Sequence, residues 1–161
     1  MADLTHVGAG GEARMVDVSA KPETERTARA AGAIRMRAET LAAIRDNALA
    51  KGDVLAVAKV AGVMAAKRTS ELIPMCHSLP LTDVQVTLSL DAALPGVRVE
   101  ATARTVARTG VEMEAITAVA VSLVTVYDMA KSHDKAMVIT DIRLLEKSGG
   151  RSGHWSAPAG E

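Results

Sequence analysis

The sequence predicts an α+β domain with helices covering one face of a mostly antiparallel sheet, and three observations carry that expectation. Val84, Val86, Leu88 and Leu90 alternate with Gln85, Thr87, Ser89 and Asp91. After a turn holding Pro95 and Gly96, Val97, Val99, Ala101 and Ala103 alternate with Arg98, Glu100, Thr102 and Arg104. A period of two on both arms describes a hairpin with one apolar and one polar face. Residues 54–72 and 110–132 read as two long helices, and strand-like runs lie at 14–37 and 137–145. The resulting order, ββ-α-α-ββ-α-β, suits a ferredoxin-like core.

Each element has a local reason. Residues 1–13 carry three glycines and little pattern, and read as an irregular leader. Met15 to Val18 is β-prone, and after Pro22 the residues Ala28, Ala30, Ile34 and Met36 oppose Arg29, Arg35 and Arg37. A short helix follows from Glu39, with Leu41, Ile44 and Ala48 on one side. Lys51-Gly52-Asp53 breaks it, Asp53 caps the next helix, and Pro74 ends that helix near Leu72. The chain reads as one α+β domain over 14–150, followed by a Gly/Ser-rich flexible tail over 151–161.

Composition narrows the function. The 161 residues include 19 basic and 19 acidic side chains, so the net charge is zero and the chain is not a general polyanion binder. With no Phe, one Tyr and one Trp, it lacks a stacking platform for nucleic acid. No apolar stretch is read as long enough to span a bilayer, and a single cysteine, Cys76, forms no intrachain disulfide, which together suggest the cytoplasm. Between Val54 and Ala66 the only charge is Lys59, and between Ala115 and Tyr127 there is none. A helix that is apolar all round is covered on both sides, and one sheet covers only one, so an obligate oligomer is expected.

The polar residues offer several chemistries. Cys76 and His77 adjoin in a helix-to-strand loop, but no second such pair exists, so a buried thiol and a satisfied imidazole are a better reading than a metal site. Glu112 and Glu114 open the long helix, where acids complement its dipole. Two residues apart, they line one site only if the chain is still extended there. Asp128 and Lys131 share a helix face, either as an ordinary ion pair or as functional groups beside a buried region. Lys147-Ser-Gly-Gly-Arg-Ser-Gly reads as an anion-binding loop or as flexible chain. Lys67 and Arg68 complement a helix C-terminus.

As a set these segments resemble the cyclic pyranopterin monophosphate synthases, the accessory protein C family of molybdenum-cofactor biosynthesis. The matching runs are MVDVSAK (15–21), KGDV (51–54), AGVMAAKRTSELIPMCH (61–77), TGVEMEAITA (109–118), YDMAK (127–131) and KSGGRSG (147–153). Ser78 stands where the family usually has Pro, and Met75 where Leu is frequent. The resemblance implies a lyase that converts 3′,8-cyclo-7,8-dihydro-GTP, supplied by a radical SAM enzyme, to cyclic pyranopterin monophosphate and pyrophosphate. It implies a hexamer, a trimer of dimers, with each site at a subunit interface.

Carried over by position, Asp128, Lys131 and Lys51 are catalytic candidates. Met75, Cys76, His77, Glu112, Met113 and Glu114 line the substrate pocket, and Arg26, Lys67 and Lys147 are further substrate contacts. A triphosphate calls for several cations, and opening and reclosing rings calls for proton carriers such as His, Lys and carboxylates. Asp128 is expected to position Lys131, leaving Lys51 as the better candidate for a lowered pKa. No cofactor is required by anything in the sequence. Mg²⁺ between phosphate and carboxylate stays open, without a dedicated ligand set. A nucleotide-sensing module of the same fold would explain the cations but not the accompanying acids, and a pure scaffold would need neither.

Overall fold

A computed structural model describes residues 10–158. The first nine residues of the expected leader and residues 159–161 of the expected tail lie outside the described residues. Among the described residues five strands, β1 (Thr24–Arg35), β2 (Leu81–Asp91), β3 (Gly96–Ala107), β4 (Val138–Ser148) and β5 (Trp155–Ser156), form one sheet in the order β2-β3-β1-β4-β5. Every neighbouring pair is antiparallel. The helices are α1 (Ala38–Arg45), α2 (Val54–Lys67), α3 (Thr69–Leu72) and α4 (Glu112–Ala130). β3 lies between β1 and β2, which is the split β-α-β arrangement expected from the element order.

The core is made where the strands' alternation meets α4. Ala28, Ala30 and Ile34 of β1 and Val97, Val99, Ala101 and Ala103 of β3 are buried with Ala115, Ala118, Val119, Leu123 and Val126 of α4. The small residues are what let α4 lie close to the sheet. A Cβ on Gly32 would stand 2.9 Å from both Leu123 and Val119. Between the two long helices, Gly62 of α2 faces Ser122 of α4, whose buried hydroxyl donates to the Ala58 carbonyl at 3.0 Å.

Several boundaries differ from the sequence expectation. The helix from Asp53, whose carboxylate accepts from Ala56 N–H at 2.9 Å, stops at Lys67 rather than near Leu72. Thr69 Oγ1 donates back to the carbonyls of Ala65 and Ala66, and only the short α3 continues. Met15 to Val18 is not a strand: its two valines give an extended preference, but it pairs with no ladder and lies over a cavity instead. β4 runs three residues beyond Leu145, so Lys147 sits in a strand. The segment after 151 is not wholly loose, because Trp155–Ser156 returns as β5 and pairs with Glu146 and Lys147.

The helix α4 has 19 residues and is, contrary to the sequence reading, long and apolar enough to cross a membrane by length and composition. The core just described buries Ala115, Ala118, Val119, Leu123, Val126, Met129 and Ala130 of it. α2 is different. Val57, Val60 and Met64 share its outer side and are exposed, Val60 at 59%, and Val124 of α4 is exposed beside that layer's outer surface.

Candidate active site

Apart from Lys67, the candidate site residues singled out in the sequence fall into two groups at opposite ends of α4. At the C-terminal end, Asp128 Oδ2 accepts from Lys51 Nζ and Oδ1 accepts from Lys131 Nζ, each at 2.7 Å. Lys51 also donates to the Asp128 carbonyl at 3.0 Å. Lys51 arrives from the turn that precedes α2, and Lys131 caps α4. The Lys131 hydrogen bond, followed by that of Lys51, holds the Asp128 carboxyl down to about 2, and Asp128 in turn raises Lys131. The geometry therefore does not reserve Asp128 for Lys131, as the sequence suggested: one carboxylate holds both ammonium groups.

At the N-terminal end two cavities adjoin. The smaller, about 330 Å³, is lined by Met75, Cys76, His77, Met113, Glu112 and Glu114, with Val16 and Val18 over it. His77 Nε2 is 2.9 Å from the Val16 carbonyl. A carbonyl only accepts, so Nε2 carries the proton, and in the neutral ring Nδ1 is left as an acceptor. Glu114 is 4% exposed, and burial pushes its carboxyl up, with Glu112 adding to the shift. Burial, with Glu114 nearby, also raises the Cys76 thiol.

Glu112 and Glu114 line this same cavity although α4 is helical from Glu112 onward. The Glu112 side chain folds back across Gly110, into space that a Cβ there would occupy. The missing side chain of Gly110 thus solves the spacing problem that two residues on one helix pose.

The larger cavity, about 550 Å³, is lined by Lys21, Arg26, Arg108, Lys147 and Arg151 together with Thr109, Gly110 and the Gly149–Gly150 turn. Lys147 donates to Glu112 at 2.8 Å, and Glu112 lines both cavities. Gly149 and Gly150 have φ of +103° and +68°, a region that side chains disfavour. The Lys-Ser-Gly-Gly-Arg run is therefore a hairpin turn that carries cations to a cavity wall, not free chain. Lys67 lies outside both cavities, exposed at the end of α2. Among the described residues, no group of three or more His, Cys, Asp and Glu side chains could hold a metal ion.

Sequence reasoning missed Arg108 and Thr109, which arrive on the β3–α4 loop. The signal available was their position directly before the GVEMEA run. Arg108 Nη1 donates to the Ser19 carbonyl at 2.8 Å, which ties the N-terminal segment to the cavity.

The ends of the site are far apart within one chain. The sixteen helical steps from Glu112 to Asp128 span about 24 Å at 1.5 Å each. Comparison with known proteins bears on what the two ends do. The family model described as the MoaC family matches residues 15–150. A protein of Thermomicrobium roseum named cyclic pyranopterin monophosphate synthase is 59% identical over 155 residues, 96% of this chain and 93% of its own. Proteins of the same name from Dinoroseobacter shibae and Methylobacterium sp. are 59% and 60% identical over 157 residues, covering 98% of this chain and 99% and 98% of theirs. With the family model matching most of its length and relatives this similar end to end, the chain belongs to the MoaC family.

Proposed function

We propose that this protein is a cyclic pyranopterin monophosphate synthase, a lyase of molybdenum-cofactor biosynthesis. It converts 3′,8-cyclo-7,8-dihydro-GTP to cyclic pyranopterin monophosphate and pyrophosphate. A sugar hydroxyl attacks the α-phosphate, the cyclic phosphate forms and pyrophosphate leaves. The observation that carries the reading is the near-full-length identity to proteins of that name, together with the placement of the matching motifs around two cavities and one lysine–carboxylate cluster.

The larger cavity takes the polyphosphate, because several cations are needed to neutralise it and Lys21, Arg26, Arg108, Lys147 and Arg151 line that wall. The smaller cavity takes the ring system, with Met75 and Met113 as apolar walls and Cys76, His77, Glu112 and Glu114 as hydrogen-bonding groups. Lys51 and Lys131 act on the reacting atoms, and Asp128 orients both. Lys67 is a further substrate contact. No cofactor is needed in this scheme, and Mg²⁺ would enter with the phosphates rather than on a protein ligand set.

About 24 Å between Asp128 and Glu112 is more than one chain's cavities bridge, so the Lys51–Asp128–Lys131 cluster serves the cavities of a second copy. The exposed Val57, Val60, Met64 and Val124 support an assembly that covers the outer helical face. The assembly is a hexamer, a trimer of dimers, working in the cytoplasm after a radical SAM cyclase. The test is pyrophosphate release from the cyclised GTP by the wild type and by Asp128→Ala. Release by the wild type alone is the expected result. Tight binding with no release from either protein would replace this reading with that of a nucleotide-sensing module.

A further inference from the structure

Arg26 stands on β1 where the loop after β3 and the turn after β4 converge. Its guanidinium donates to three backbone carbonyls: Nε to Ala107 at 3.4 Å, Nη2 to Arg108 at 3.5 Å and Nη1 to Gly149 at 3.3 Å. A rigid planar fork can serve three acceptors at once, whereas an ammonium on a flexible stem is a single point charge. The two segments it joins carry Arg108 and Thr109 on one side and Gly149 to Ser152 on the other, and all line the larger cavity.

The turn is shaped around the same guanidinium. A Cβ on Gly149 would run into the Glu25 carbonyl, and one on Gly150 would run into Arg26 Nη1. The backbone at 149–150 therefore closes directly over Arg26, and no larger residue leaves the guanidinium in place.

We propose that Arg26 is a positioning residue of the larger cavity: it locks the β3–α4 loop and the β4–β5 turn into one rim. The bound anion is then held chiefly by Lys21, Arg108, Lys147 and Arg151. This role rests on the reading of that cavity as the polyphosphate site and assigns one of its cations to the frame.

The test compares Arg26→Lys, which keeps the charge and loses the fork, with Arg26→Ala and Gly150→Ala. Amide hydrogen exchange reports the rim, and calorimetric titration with inorganic pyrophosphate reports the cavity. The expected result is faster exchange at 108–110 and 149–152 in all three variants. Pyrophosphate affinity falls about tenfold in Arg26→Lys and Arg26→Ala alike. Adding Gly150→Ala to Arg26→Ala costs less than Gly150→Ala alone, because the two act through one contact.

Near-wild-type affinity in Arg26→Lys with a large loss in Arg26→Ala would overturn the proposal, because charge alone would then explain the site. Unchanged exchange in a folded Arg26→Lys would overturn it as well. A wild type that binds no pyrophosphate would instead overturn the polyphosphate reading of the cavity, and Arg26's role there with it.

Discussion

Lys51 and Asp128 are 77 positions apart in the chain, and their side chains meet at 2.7 Å, with Lys131 completing the group from the other carboxylate oxygen. Two cations on one exposed carboxylate make that carboxylate hard to protonate. Asp128 is expected to titrate near 2 by carboxyl-carbon NMR. A folded-state value below the ordinary carboxylate range of about 3.9 stabilises the protein above that range, and this contribution is lost as pH falls from about 4 toward 2. Replacing both lysines by methionine should return the midpoint to the ordinary range. An unchanged midpoint would show that the lysines are not its cause.

Glu114 has the opposite sign. Burial raises its carboxyl above the usual value, so its contribution is greatest below the unfolded pKa and is lost as pH rises through the folded one. Glu114→Gln should therefore flatten the pH dependence of stability, and the variant should gain relative to wild type as pH rises above the ordinary carboxylate range. Urea midpoints measured across a pH series starting below that range check this, and parallel curves for the two proteins would contradict it.

Pyrophosphate release should fall by at least about 100-fold in Asp128→Ala, within the usual range for loss of a group that positions proton carriers. A site built from two chains makes a sharper prediction. Asp128→Ala and Lys147→Ala should each be inactive alone. When they are unfolded and refolded together in equal amounts, about a quarter of wild-type activity should return, since half the dimers are mixed and each mixed dimer has one intact site of two. No recovery in properly assembled mixtures would place both ends of the site in one chain.

Val60→Asp puts a charge on the exposed apolar side of α2. The expected outcome is a smaller particle by light scattering, with pyrophosphate release lost in parallel. Wild-type mass and activity would mean that this face is not the contact between copies.

Gly62→Ala should destabilise the protein by about 1–3 kcal/mol, as overpacking does, even though alanine is the better helix former. The added Cβ would meet Ser122 Oγ and stand 2.9 Å from the Ala118 carbonyl. Thermal melts of Gly62→Ala with and without Ser122→Ala would check this, with the second change recovering part of the loss.

By itself the sequence determined what is local. The alternation of Val84 to Asp91 and Val97 to Arg104 specified the hairpin, Asp53 specified a helix start, and the matching runs from Met15 to Gly153 specified the family. These are properties of neighbouring residues, and neighbours are what a sequence displays. Tertiary structure decided which distant groups meet. Whether Glu112 and Glu114 share a cavity depended on the space left at Gly110, and whether Lys147 lay in a loop or a strand depended on its pairing with Ala28 of β1 and Trp155 of β5. Arg26 looks in the sequence like any cation. Only the convergence of two loops on β1 puts three carbonyls around it, because hydrogen bonds between segments 81 and 123 positions apart are set by the path of the chain, not by local preference.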